Sequence, residues 1–158
     1  MNPPRLEPVL DVRAQVGPPV DLGDIVGRGR RRIVPILGGS CEGRGTFADL
    51  LTGRVLPGGA DWQVIHADGL TEADARYTLE TGRGRLVYVQ NRGLRHAPPE
   101  VMTRLLAGEA VDPALVYFYS TPTFETAAPE LQALARAVFV GVGERYPSEV
   151  VIRFWKVG

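Results

Sequence analysis

The sequence predicts a mainly β, antiparallel, single-domain protein of about eight to ten strands with two short helices. Three observations predict it. Short apolar or alternating runs rich in Val, Ile, Tyr, Phe and Trp recur along the chain, the composition a pleated and half-buried surface favours. Gly, Pro and Asp-Gly punctuation separates those runs. The 158 residues carry no internal repeat, low-complexity tract or linker longer than a turn, so they fit one domain.

Taken in order, strands are expected near Leu6–Val16, Val20–Val26, Arg31–Leu37, Leu50–Leu56, Asp61–Ala67, Asp74–Thr81, Leu86–Asn91, Leu115–Ser120, Val138–Gly143 and Val150–Val157. Asp68-Gly69 and Gly82-Arg83-Gly84 are the clearest hairpin turns, because glycine takes positive φ without steric cost. Pro98-Pro99-Glu100 opens the first helix, with proline where its missing N–H costs nothing and Glu100 near the positive end of the dipole. Val101, Met102, Leu105 and Leu106 form its apolar face, and Gly108 stops it. The second helix is short, starting at Pro129-Glu130 and carrying Leu131 and Leu134. Both helices are expected to plug or cover an end of the sheet. Alternation alone does not choose between a sandwich and a closed barrel.

Composition removes several function classes. Eighteen basic and eighteen acidic side chains cancel, which argues against a broad attraction to nucleic acid or anionic lipid. No apolar run approaches the ~18–20 residues of a membrane helix, and the N-terminus lacks a basic start followed by an apolar stretch. Cys41 is the only cysteine, so the chain forms no internal disulfide, and a cytoplasmic setting is expected. His66 and His96 stand too far apart for a metal-ligand spacing, so no metal is expected. Gly27-Arg-Gly-Arg-Arg-Arg32 lacks the Walker pattern and a following helix; it reads as an arginine-rich turn, and no cofactor is expected.

The informative stretch runs from Leu56 to Thr81. Residues two apart in a strand share a face, so Asp74, Arg76, Thr78 and Glu80 form one row and Ala75, Tyr77 and Leu79 the other. Pairing even with even across the two hairpins adds Tyr88, Gln90 and Arg92 on one side, and Trp62, Val64 and His66 on the other, to the polar row. That register separates polar from apolar side chains and is preferred. Two arrangements then remain. In one, the polar row faces water and the Ala75–Tyr77–Leu79 row is core. In the other, the polar row lines the interior of a barrel with room for one small ligand, and the apolar row is covered by a helix or a second copy of the chain.

The segments Gly53-Arg-Val-Leu-Pro-Gly-Gly-Ala-Asp-Trp62, Asp74-Ala-Arg-Tyr-Thr-Leu-Glu-Thr81, Phe124-Glu-Thr126 and Phe139-Val-Gly-Val-Gly143 together resemble the bacterial domain of unknown function 3237 family. The likeness spans nearly the whole chain, from Arg31 to Val157. It implies an antiparallel β-barrel with a central cavity and carries no agreed chemistry, which favours the polar row lining the inside. The chain departs from the family pattern at Arg44, at Tyr119, where arginine is more frequent, and at Ala133 and Ala135.

On that footing the expected ligand is a small aromatic or apolar organic acid or ketone. The expected chemistry is cofactor-free isomerisation, cyclisation, or water addition and elimination. Asp74 and Glu80 are the candidate bases, since burial raises a carboxyl pKa towards neutrality. Arg76 is the anion binder, and His66 the candidate proton shuttle. Trp62, Tyr88 and Tyr119 are the candidate aromatic wall, with Asp61 and Glu125 as polar ligand contacts. The competing class is a non-catalytic ligand-binding or homo-oligomeric module, in which Asp74 and Arg76 are a structural ion pair and the apolar row is a seam between copies.

Overall fold

The computed structural model describes residues 1–158, and its first strand, β1, runs Leu6–Val16, as expected. β2 (Val20–Ile25) and β3 (Gly29–Gly43) follow as a hairpin, and β3 is more than twice as long as the Arg31–Leu37 run suggests. The predicted strand over Leu50–Leu56 is divided. Ala48–Leu51 is one helical turn, α1, whose Leu51 is fully buried, and only Gly53–Val55 pairs as β4. The next strands are β5 (Gly59–Ile65), β6 (Thr71–Thr81) and β7 (Leu86–His96). After α2 (Pro99–Leu106) come β8 (Tyr117–Glu125), β9 (Val138–Arg145) and β10 (Glu149–Val157). The second predicted helix, Pro129–Arg136, is 3-10 along its length.

Every pairing is antiparallel, and β1 bonds to both β10 and β3, which closes the sheet. Read around the barrel, the order is β1, β10, β9, β8, β7, β6, then β4 and β5 end to end, then β3. This makes an eight-stranded barrel, since β4 and β5 occupy one position between β3 and β6. The break between them falls at Leu56-Pro57-Gly58, where proline donates no ladder hydrogen bond. β2 pairs only with β3 and projects beyond the closed wall.

One end of the barrel is packed solid. Phe124 meets the edges of Phe139 and Phe154 at centroid distances of 5.0 and 5.8 Å. Leu131 and Leu134 of the 3-10 segment and Phe47 and Leu51 from the other side close that end. Each fully buried leucine or phenylalanine there contributes about 1.5–3 kcal/mol. Gly141 and Gly143 of β9 make room for aromatic rings: a Cβ would stand 2.9 Å from the ring of Phe154 at the first and 2.4 Å from that of Phe118 at the second. The opposite end is covered by α2, whose Val101, Met102 and Leu105 form a separate small core with Val111.

Register follows the even-with-even expectation: Arg76 stands opposite Gln90, Asp74 opposite Arg92, and Ala60 opposite Arg76. The facing is the reverse of the one expected. Tyr77, Leu79 and Thr81 are buried and Ala73 and Ala75 line the interior, while Asp74, Arg76, Thr78 and Glu80 are on the outer wall. An all-round barrel of this size closes over side chains, so the row with the larger apolar payload turns inward. The apolar row is thus core and not a seam between copies.

Candidate functional site

Beneath α2 the interior is not filled. The inward rows there carry Ala14, Ala73, Ala75 and Gly93, and these short side chains leave a cavity bounded by Val34, Ile36, Tyr77, Phe118 and Ile152. The space open to the centre of a water molecule is about 40 Å³. One water occupies roughly 10–15 Å³ on that measure, so the cavity takes several waters or one small organic molecule.

Its polar lining comes from residues that interrupt apolar rows. β5 turns Asp61 and Gln63 inward, β7 contributes Asn91 and Arg95 beyond Val87 and Val89, and Arg145 enters from the end of β9. Arg32, inward-facing on β3 ahead of Val34 and Ile36, stands behind them and donates from Nη1 to the Leu106 carbonyl of α2 at 3.3 Å. Register orders these groups by depth. On β7, Arg95 lies nearest α2, Asn91 deeper, and Val89, opposite Tyr77, deepest. The cavity is polar towards α2 and apolar towards the packed end.

The electrostatics are unbalanced. Three arginines surround one carboxylate, and none of Arg32, Arg95 or Arg145 has a carboxylate oxygen within 4.0 Å. Of the fourteen arginines outside this group, nine have one. Arg95 is 4% exposed and its guanidinium, 5.6 Å over the Phe118 ring, makes no hydrogen bond within the chain. Burial, reinforced by the charges of Arg145 and Arg32 and opposed by that of Asp61, brings the Arg95 pKa down to about 10. Buried atoms without a partner include Arg95 Nε, Arg32 Nε, Asn91 Oδ1 and the Tyr77 hydroxyl. Such orphans are rare in native proteins, because each forfeits about 1–3 kcal/mol of solvation.

Asp61 is held on the inner wall. Gln63 Nε2 donates to Oδ2 at 2.7 Å and the Asp74 backbone N–H to Oδ1 at 3.0 Å. Burial outweighs these bonds and the nearby charge of Arg95, so the Asp61 pKa is raised. It is the one carboxylate in the cavity with the environment of a general acid or base.

Of the nine residues singled out in the sequence, only Asp61 lies in this cavity. Asp74 accepts from Arg76 at 3.1 Å and Gln90 at 3.0 Å on the outer wall. Partial burial alone would raise its pKa, but those hydrogen bonds and the neighbouring guanidinium charges prevail and lower it, which suits an ion pair and not a base. Arg76 stacks 6.0 Å over Trp62, and both are exposed. Glu80 pairs with Arg54 at 3.0 Å and His66 with Glu72 at 2.9 Å, also outside. Tyr88 and Glu125 face each other across β7 and β8 on the outer surface. Tyr119 packs against Tyr117 with the rings tilted by 50° and their centroids 4.7 Å apart, beside an outer groove that Asp74 also borders. The sequence reading passed over Arg32, Gln63, Tyr77, Asn91, Arg95 and Arg145. Their signal is a polar residue inside an otherwise apolar row, as in Val87–Val89–Asn91–Gly93–Arg95. Cys41 is buried, donates to the Leu51 carbonyl at 3.2 Å, and has its thiol pushed up to about 11 by burial, which leaves it inert.

Comparison with known proteins gives the same barrel without a chemistry. The family described as Protein of unknown function (DUF3237) matches residues 4–157, and the chain belongs to it. A UPF0311 protein of Rhodopseudomonas palustris strain TIE-1 is 44% identical over 144 residues, 91% of this chain and 90% of that protein. The crystal structure of a conserved protein of unknown function from Rhodopseudomonas palustris superposes with a TM-score of 0.91 at 40% identity, covering both chains completely. The crystal structure of an enzyme from Penicillium herquei superposes with a TM-score of 0.71 at 20% identity, covering 100% of this chain and 97% of that one. That likeness extends to the fold alone.

Proposed function

We propose that this member of the Protein of unknown function (DUF3237) family binds a small organic acid or ketone inside its barrel and moves a proton on it through Asp61. The observation that carries the reading is the cavity beneath α2, where Arg95 is buried without an acceptor beside a carboxylate of raised pKa. A carbonyl compound seated there offers its oxygen to Arg95 or Arg145 and its tail to Val34, Ile36 and Ile152. Asp61 takes a proton from the adjacent carbon, the guanidinium steadies the charge that develops on oxygen, and the proton returns to another position. This is the first half of an isomerisation, cyclisation or elimination. The role first given to Asp74 passes to Asp61, and that of Arg76 to Arg95.

The test is proton exchange. Small ketones and 2-oxo acids, such as cyclohexanone and 2-oxobutanoate, are incubated with the protein in heavy water and the loss of the α-proton signal is followed by NMR. The protein is expected to accelerate exchange on at least one of them, and Asp61→Asn to cut that rate by about 10²-fold or more, the usual contribution of a positioned base. Equal rates in both proteins would remove Asp61 from the chemistry.

A second reading, assembly of copies of the chain, draws on β2. It projects from the barrel with one edge unpaired and exposes Val20, Leu22 and Ile25, with Val26 beyond its end.

A further inference from the structure

We infer that the cavity ligand is a small monocarboxylate, entering with its carboxylate towards α2 and its hydrocarbon towards the packed end; this rests on the cavity being the ligand site. The argument is one of charge and donors. Arg32, Arg95 and Arg145 bring three positive charges and Asp61 one negative, so the site holds an excess of about two with Asp61 ionised. Burying a cation without a counter-charge is costly, and a guanidinium with no acceptor wastes a planar fork that matches a carboxylate.

Unpartnered donors lie along the wall. Arg95 Nε and the Tyr77 hydroxyl have no acceptor, and Asn91 presents an unpartnered amide oxygen that exchanges for its NH₂ by a flip of the group. All three residues are at least nine-tenths buried. A neutral ketone accepts from one or two of these donors and leaves the charge excess in place. A carboxylate accepts up to four hydrogen bonds and neutralises one positive charge. The second excess charge is partly met by the carbonyls of Tyr146 and Glu149, to which Arg145 donates, the latter at 3.2 Å. That leaves one anionic head and selects a monoanion over a dianion.

Shape sets the remainder. Below the arginines the lining is Val34, Ile36 and Ile152, with the Tyr77 hydroxyl the one polar group among them, so no cation is there to meet a second carboxylate. The tail is therefore apolar and short.

The experiment pairs each acid with its uncharged isostere: propionate with propionamide, butyrate with butyramide, benzoate with benzamide. Binding to the full chain is measured by saturation-transfer NMR, and the arginine Nε–H signals are followed in 1H–15N spectra. At least one acid is expected to bind at least about tenfold more tightly than its amide, since charge-assisted bonds are roughly twice as strong as neutral ones. The Arg95 Nε–H resonance is expected to move with the acid only. Arg95→Met should abolish the preference for the acid, weakening the acid far more than the amide. The spectral shift needs no variant, so poor folding of Arg95→Met does not shelter the inference. Amides binding as well as acids would overturn it while sparing the cavity as a ligand site. No binding by either set, or binding without movement of the Arg95 signal, would overturn it too, and the first of these removes the cavity reading with it.

Discussion

Asp61 and Asp74 are joined by a single hydrogen bond, the Asp74 N–H to Asp61 Oδ1, yet they sit on opposite faces of one wall and are shifted in opposite directions. The difference is one of company. Asp74 accepts from a guanidinium and an amide at a half-wet surface; Asp61 has an amide and one backbone N–H in a cavity. Linkage makes this measurable. An unfolded aspartate titrates near about 3.9. Above that pH the unfolded chain releases the Asp61 proton while the folded chain keeps it. The Asp61 contribution to stability is therefore full at low pH, falls as pH rises through the carboxylate range to the raised value, and is flat beyond. Asp74 acts in the other sense, its stabilisation present at neutral pH and lost as pH falls. Asp61→Asn should thus gain on the native protein as pH rises above the ordinary aspartate value of about 3.9 towards neutrality. Urea unfolding of both proteins at several pH values checks this, and a difference that does not vary with pH would show that the fold does not raise the Asp61 pKa.

Within β6 the alternation of side chains decides what each substitution costs. Arg76 is half exposed, so its pair with Asp74 is screened by water and is worth about 0–1 kcal/mol. Leu79, three residues on, is fully buried in the main core. Arg76→Leu should change the unfolding free energy by less than about 1 kcal/mol and Leu79→Ala should cost about 2–5 kcal/mol, by urea denaturation. A larger loss at Arg76 would mean that the outer row carries weight that its exposure does not suggest. The same alternation explains what was legible beforehand. Strand number, the hairpins at Gly69 and Gly84 and the separation of rows follow from period-two patterning and turn chemistry, and all are in the structure. Which row faces inward does not follow from period alone, because a half-buried strand and a cavity strand alternate alike. Taking the polar row as the lining therefore misplaced every candidate except Asp61. The residues that do line the cavity, Asn91 and Arg95 on β7 and Arg32 on β3, belong to apolar rows and are conspicuous only once those rows are known to be inside. The strand predicted at Leu50–Leu56 failed for a related reason: its apolar run includes the turn of α1 that plugs the barrel end with Leu51.

At the scale of the whole molecule, closing β1 onto β3 removes sheet edges everywhere but at β2. An unpaired edge strand is a template for another strand, and proteins that keep one free usually blunt it with charge, proline or a pronounced bulge. β2 has a bulge between Asp21 and Gly23, and Asp21 is engaged by Arg30 across the hairpin, its Nε donating at 2.9 Å. Of its other side chains Asp24 is charged and exposed, while Val20, Leu22 and Ile25 are apolar and wet: Leu22 is 51% exposed, and Val26 in the turn is exposed throughout. Two such edges related by a two-fold axis pair antiparallel with each other, so a second copy of the chain is a self-consistent occupant. If copies assemble this way, the native protein has twice the 17.2 kDa mass of one chain in light scattering. Leu22→Lys combined with Val26→Lys should return it to the mass of one chain, because the added charges face each other across the axis, while the melting temperature of the barrel itself changes little. A native protein that is already a single chain at all concentrations would remove the edge from consideration. A dimer that survives both lysines would place the contact on the Leu94, Tyr117 and Tyr119 surface instead, another exposed apolar stretch of the wall.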